Sequence, residues 1–460
     1  MESSWTTAAW ELLVTAARSP RRARGRMLED ALRQAVRSGH IAAGTRLPSS
    51  RELAADLGVS RGVVTEVYGR LVAEGHLVGR QGAGTWVVDL PRQAPPPAPI
   101  AAAPLVDFKP GSPDLSLFPR AAWANLCRKV LTEMPHAVLD YGDSRGFLPL
   151  RTELAALLSR RRGVVVDPER IIICGGFAQA LSLVARFLRT QGKTLIGEEL
   201  PGDSKGCSIF GPAGVSSVSI AVDENGMDVD ALAASGCHAA LVTPTHQFPT
   251  GIVYQPPRRK QLLEWARDTG GLIIEDDYDG EFRYDRAPLA ALQSTAPDLV
   301  AYAGSVSKSL APGMRLGWLL PPARLLEPLA ALKHGDDRGR PVLDQAVLAA
   351  FLRSGRYDRQ LRLCQRTYRE RRDTLVRALA DQLPEARVTG VAAGLHAVVT
   401  LPASFGAEDE LVRAAADVGV NVVPFGRYGG TGPGFVLGFS HLSATTIDKG
   451  ISLVAAAWLT

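Results

Sequence analysis

Hydrophobic residues fall into two regimes along the chain. Up to about residue 90 they recur at helical spacing in short segments. From Gly25 to Ser38, Leu28, Leu32 and Val36 line one face, the pattern of an amphipathic helix. The stretch from Pro48 to Arg61 then places Leu53 and Leu57 ahead of Gly58, and Val63, Val64 and Val67 follow it. Ser49 with Glu52 fits a capping box that starts a short helix, Gly58 permits a tight turn, and Ser60 can cap the next helix. Two short helices about a Gly turn have the layout of a helix-turn-helix. Leu77 to Val88 reads as a hairpin, with Gly79, Gly82 and Gly84 permitting its turn. These parts, in this order, predict a winged-helix domain over residues 18–90. Trp5 to Val14 is only a short mixed segment.

A second regime begins after residues 91–104, PRQAPPPAPIAAAP. That run is too rich in Pro and Ala for a strand or a regular helix and reads as a semi-rigid linker. Beyond it, helical patterns alternate with short apolar strands at Ile171–Ile173, Ala240–Val242, Leu272–Ile274 and Leu299–Tyr302. The alternation predicts an α/β domain with a mainly parallel sheet over residues 105–460. From about Asp344 the pattern turns long and helical and runs to about Leu383. A small α+β subdomain, counted from about residue 345, carries apolar runs at Ala397–Leu401 and Val420–Val423. At 460 residues the chain is too long for one core, so a multidomain protein is expected.

Charge sharpens the division. Net charge is +5, but residues 18–92 alone carry 13 Arg, no Lys and 7 acids, which leaves the remainder near neutral at −1. A basic N-terminal piece on a neutral body points to a polyanion partner for that piece. The five cysteines are scattered without a C-x-x-C pair, so neither a disulfide framework nor a metal site is expected. No apolar run reaches the length of a membrane span, and the N-terminus lacks a secretion pattern; a cytoplasmic protein is expected.

On the predicted DNA-binding module the recognition helix starts at Ser60. Arg61, Thr65 and Tyr68 are expected to face double-stranded DNA. Ser49, Ser50 and Arg51 are placed to hold phosphates, and Gly82 and Gly84 lie in the wing.

The second domain carries chemistry around Lys308, in the run Ser305-Val306-Ser307-Lys308-Ser309-Leu310-Ala311-Pro312-Gly313-Met314-Arg315. A lysine amine can form a Schiff base with an aldehyde cofactor, while Ser305, Ser307 and Arg315 hold that cofactor's phosphate. That cofactor would be pyridoxal 5'-phosphate (PLP). Four further elements fit it. Gly175-Gly176-Phe177-Ala178 follows a strand and opens a helix, a phosphate cradle of backbone N–H groups. Glu275-Asp276-Asp277-Tyr278 ends another strand, where an acid can hold the pyridine nitrogen protonated and Tyr278 can reach the ring's 3'-oxygen. Tyr141 lies in a turn able to reach across a dimer, and His246 lies in the loop Thr243–Gly251 that crosses the ring face.

LPSSRELAADLGVSRGVVTEVYGRLVAEGHLVGRQGAGTWV resembles the GntR-type winged helix over about residues 24–88, and residues 105–457 resemble a fold-type I aminotransferase. Together they resemble a MocR-type regulator of the GntR family. The resemblance implies a homodimer, head-to-tail, with PLP on Lys308, Asp276 as the nitrogen partner and Tyr141 donated across the dimer. Its PLP-sensing branch is the one favoured.

Several positions depart from that pattern. Val436, in Gly434-Phe435-Val436-Leu437-Gly438-Phe439-Ser440, stands where aminotransferases place an arginine that clamps the substrate carboxylate. Arg427 and His441 are the candidate substitutes. Asp203 replaces the aromatic that stacks on the ring, Phe248 replaces an asparagine, and Phe177-Ala178 replaces a small or hydroxyl residue and Gln. The reading that results is a DNA-binding transcriptional regulator responding to PLP itself or to an amine that forms an external aldimine. The alternative is a working aminotransferase with an appended DNA-binding arm. A purely structural DNA binder leaves the cofactor elements unexplained.

Overall fold

Local capping fixes where the first helices begin and end. The computed structural model describes residues 7–20, 23–80, 84–89, 103–203, 205–284 and 289–459, and the chain divides into two units between Ala102 and Ala103. The first unit holds helices α1 (Thr7–Ala17), α2 (Arg24–Arg37), α3 (Ser50–Leu57) and α4 (Arg61–Ala73), followed by strands β1 (Leu77–Arg80) and β2 (Gly84–Val87). Ser49 and Glu52 form the capping box: Glu52 N donates to Ser49 Oγ at 3.2 Å, and Ser49 N donates to Glu52 Oε2 at 2.8 Å. Gly58 ends α3 in the left-handed conformation (φ 62°). Ser60 occupies the cap position of α4 with extended backbone, but its side chain makes no cap hydrogen bond.

The buried faces of α2 (Leu28, Leu32, Val36), α3 (Leu53) and α4 (Val64, Val67, Leu71) meet Leu77 and Val87 of the hairpin in one core. β1 and β2 pair antiparallel, Leu77 opposite Val87. The mixed segment near the N-terminus contributes more than its pattern suggests. From Thr7 on it belongs to α1, whose Leu13 is fully buried in the same core.

The second unit is built on an eight-stranded sheet. A short strand β3 (Val106–Asp107) stands apart from this sheet, whose strands are β4 (Ile172–Cys174), β5 (Leu195–Leu200), β6 (Ser216–Asp223), β7 (Gly226–Met227), β8 (Ala239–Val242), β9 (Leu272–Asp276), β10 (Val300–Ser305) and β11 (Gly317–Leu320), in the order β4-β11-β10-β9-β8-β5-β6-β7. Neighbours from β10 through β6 are parallel, whereas β11 runs antiparallel between β10 and β4. The central strands read as continuous apolar runs because both faces are covered. Ile273, Val300, Ala301 and Leu319 have no exposed surface.

Beyond the sheet, the long helical pattern resolves into two helices, Val342–Arg353 and Arg356–Gln382, separated at Gly355 with φ 66°. A four-stranded antiparallel sheet then carries the strands Arg387–Thr389, His396–Thr400, Gly434–Gly438 and Val423–Pro424 in that order. The segment after residue 104 joins this small subdomain early: Val106–Asp107 pairs in parallel with Val420–Asn421. Among the described residues no helix is long and apolar enough to cross a membrane.

Candidate functional site

On the first unit, the two helix N-termini carry the expected DNA-facing residues. Ser49 and Arg51 are exposed and Ser50 is partly exposed at the start of α3. Ser60, Arg61 and Thr65 are exposed along the first turns of α4, and Thr65 Oγ1 donates back to Arg61 O at 3.0 Å. Gly84 opens β2 against the Arg46 side chain. Gly82 lies outside the described residues.

Tyr68 corrects the expectation. It is 7% exposed, sits in the core and donates its hydroxyl to Pro48 O at 3.0 Å. The reason is helical phase: Tyr68 shares its face with Val64 and Leu71, so the solvent face of α4 turns away from it.

On the second unit, candidate residues converge at the carboxyl ends of parallel strands, where α/β folds place ligands. Gly175-Gly176 follows β4 and begins helix Phe177–Thr190. Gly176 has φ 91°, and a Cβ there would lie 2.9 Å from the Arg315 guanidinium, so only glycine lets that arginine approach the turn. Arg315 donates to Gly175 O. It also holds a left-handed backbone (φ 50°), an unusual state for a non-glycine residue. Ser305 ends β10, and its Oγ accepts from Ser307 N at 3.4 Å. Lys308 Nζ donates to Gly111 O at 2.5 Å. Phe177 packs partly on the core beneath β4, and Ala178 is exposed.

Three consecutive acids end β9, and their surroundings separate them. Glu275 accepts from Leu292 N at 2.8 Å and Gln293 N at 3.0 Å; burial, with Asp277 beside it, pushes its carboxyl up to about 7. Asp277 is gripped by Arg162 at 2.6 Å and by Tyr302 at 2.5 Å. Asp276 remains, and its Oδ1 is sealed from solvent with no hydrogen-bond partner. Burial, reinforced by Asp277, lifts its carboxyl well above the usual carboxylate range. Such a group ionises when a buried cation or N–H donor is brought to it.

His246 Nδ1 lies 2.9 Å from Asp279 Oδ2 and 3.0 Å from Tyr278 Oη, and Nε2 lies 3.4 Å from Gly390 O. Acceptors at both nitrogens suit an imidazolium. Burial alone would depress this histidine, but the Asp279 carboxylate outweighs it and the net direction is upward. Because the folded value exceeds the unfolded one, the pair adds stability below about pH 6.5 that is lost as pH rises through the folded midpoint. Replacing Asp279 by Asn is expected to lower the His246 midpoint, because the carboxylate that offsets its burial is removed. NMR titration of the ring protons checks this, and an unmoved midpoint would remove Asp279 as its partner. The neighbouring His396 is driven the other way, down to about 4, by burial and by His246.

The position expected to lack a carboxylate clamp is apolar. Val436 has no exposed surface and clusters with Val398, Phe425 and Tyr428. Phe248 covers this side, with ring centroids 4.9 Å from His396 and 5.1 Å from Tyr428. Of the candidate substitutes, Arg427 is exposed, and His441 spends Nε2 on Asp107 O at 2.8 Å. Tyr141 is 82% exposed. The sequence pattern does not single out Asp279, His396, Tyr428 or Arg340, whose places depend on distant segments. For Asp279, a fourth acid just after Tyr278 was the available signal.

The two units define a class of protein: a helix-turn-helix DNA-binding domain joined to an aminotransferase-fold domain. Residues 24–87 match the family of bacterial regulatory proteins described as gntR, and residues 104–449 match aminotransferase class I and II. The chain is 34% identical to the HTH-type pyridoxine biosynthesis transcriptional regulator PdxR of Corynebacterium glutamicum, covering 91% of this chain and 92% of that protein. It is 31% identical to the probable rhizopine catabolism regulatory protein MocR of Rhizobium meliloti, covering 94% and 93%. An archaeal alanine:glyoxylate aminotransferase superposes with a TM-score of 0.70 at 28% identity, covering 78% of this chain and 91% of that one. The chain belongs to the MocR-type group of GntR-family transcriptional regulators.

Proposed function

We propose that this regulator holds PLP on Lys308 and that occupancy of this site changes how it binds its DNA operator. The carrying observation is the contrast within one site. Asp276 waits with a sealed, unpartnered oxygen and Arg315 stands at the Gly175-Gly176 turn, whereas Val436 is sealed among apolar residues. The first two fit the cofactor: Asp276 would hold the pyridine nitrogen, and Arg315, Ser305, Ser307 and the Gly176–Ala178 backbone would hold its phosphate. Tyr278 would meet the ring's 3'-oxygen, and His246 would support Tyr278. When bound, PLP supplies an electrophilic aldehyde carbon and an electron-withdrawing ring.

An apolar Val436 leaves an α-carboxylate without a bidentate partner. This favours PLP itself, rather than an amino acid, as the signal. The name of the Corynebacterium relative, a regulator of pyridoxine biosynthesis, supports the same choice. It also weighs against efficient amino-acid transamination.

Lys308 offers a route from ligand to linker. Its amine holds Gly111 O, and residues 105–114 follow directly on the Pro/Ala-rich run. Further along that segment Ser440 Oγ donates to Ser112 O at 2.5 Å and Arg371 pairs with Asp114 at 2.7 Å. Engaging the amine elsewhere removes one of these ties. A ligand acts as a switch only by favouring one conformation over another, and this tie is a contact that would differ between the two. Leu115, Leu131, Leu139 and Tyr141, each more than half exposed, support a homodimer in which Tyr141 of the partner subunit completes the site.

The test is a DNA-shift titration on the chain's own upstream sequence with and without PLP. A change in affinity of about tenfold, or 1.4 kcal/mol, is expected. Equal affinity in both states would sink the PLP switch, and no DNA binding in either state would sink the regulator.

A further inference from the structure

Arg340 occupies a place that the cofactor reading does not use. The ideal Cβ of Gly175 would lie 3.2 Å from Arg340 Cζ and 3.3 Å from its Nη1, next to the Gly176 position that faces Arg315. Two guanidinium groups therefore flank consecutive glycines at the start of helix Phe177–Thr190. Arg340 Nε is buried and has no hydrogen-bond partner.

Its carbonyl oxygen, in contrast, is held. Gln345 Nε2 donates to Arg340 O at 2.9 Å, while Gln345 Oε1 accepts from Phe147 N at 2.8 Å. The preceding turn is tied to the cradle through Gln179, which accepts from Gly175 N at 2.6 Å and donates to Asp337 Oδ2 at 2.9 Å. Asp337, three residues before Arg340, is already engaged by Lys333 at 2.7 Å and Gly339 N at 2.9 Å.

Helix stability does not explain the arginine. It stands just ahead of helix Val342–Arg353, where the helix dipole disfavours a cation. Helix Phe177–Thr190 presents its own positive end to the same turn. Two guanidiniums beside the N-terminus of helix Phe177–Thr190 call for an anion.

We propose that Arg340 is a second cationic arm of the phosphate cradle, gripping the ligand's phosphate together with Arg315. It takes over the donors that the cradle lacks at Phe177 and Ala178, whose side chains cannot hydrogen-bond to phosphate. The ligand class is an organic phosphate dianion. The inference rests on the PLP reading of the same site.

The experiment is a spectroscopic titration of the full chain with PLP and with pyridoxal, which lacks the phosphate. Wild type is compared with Arg340→Gln and Arg340→Lys, and Arg315→Gln serves as the reference. Arg340→Gln is expected to weaken PLP by about tenfold to a hundredfold, the range for a hydrogen bond to a charged group, and to leave pyridoxal unchanged. Arg340→Lys should recover part of the loss. PLP affinity within threefold of wild type, or equal losses for PLP and pyridoxal, would overturn the assignment, the second because it marks a purely positional effect. A wild type that binds no PLP defeats the preceding reading instead. Arg340 is then judged by inorganic phosphate: a thermal stabilisation unchanged by Arg340→Gln overturns its role, and a lost one supports it.

Discussion

A Lys308→Ala protein is expected to lose the visible absorption band of lysine-bound PLP. Retention of the cofactor should weaken by about 3 kcal/mol or more, over a hundredfold, because only noncovalent contacts would remain. DNA binding without PLP should survive, since Ser49, Arg51, Ser60 and Arg61, the residues expected to face DNA, belong to a separate unit with its own core. The response should not: DNA affinity with and without PLP should become the same. Absorption spectra and the DNA-shift titration on one preparation read both effects. A band that persists unchanged would take Lys308 out of its role.

Gly438→Ala should damage the protein from a different direction. A Cβ at Gly438 would lie 2.2 Å from Lys109 O and 2.8 Å from Pro110 Cα, and its own N–H donates to Phe108 O at 2.8 Å. The obstacles are backbone atoms, so no rotamer change relieves them. Segment 105–114 must move off the small subdomain, or the strand Gly434–Gly438 must move. The cost belongs at the upper end of overpacking, about 3 kcal/mol, and calorimetric unfolding of the second unit should begin at lower temperature. The same displacement loosens the segment that Lys308 holds through Gly111, so a surviving fraction should show a blunted PLP response. Unfolding and response both equal to wild type would mean that this seam carries neither load.

Much of this architecture was legible before any tertiary contact was known. The capping box at Ser49 and Glu52, the left-handed Gly58 and the apolar phase of α2 concern residues at most a few turns apart, so sequence spacing alone specifies them. The lysine among hydroxyls at Ser305–Ser309 and the Gly-Gly turn before a helix are likewise local. Phase near a helix end was less legible. Tyr68 fits the exposed spacing of Arg61 and Thr65, yet it also lies four residues from Val64, and packing against Pro48 decided between the two faces. The helical pattern after Asp344 did not show its interruption, because only Ser354 and Gly355 separate two strongly helical stretches.

The sequence by itself determined two domains, their order, and the local setting of Lys308 among hydroxyl residues. Caps, periodicity and strand-end motifs are set by near neighbours. Only the tertiary structure decided which acid of Glu275, Asp276 and Asp277 remains unclaimed. Glu275 is taken by backbone amides 17 and 18 positions away and Asp277 by Arg162, 115 positions away. It also brought Arg340 beside Gly175 and closed Val436 into an apolar cluster. Those facts depend on which distant segments meet, and a buried charge or a hydrogen-bonding atom without a partner has meaning only once its surroundings are assembled.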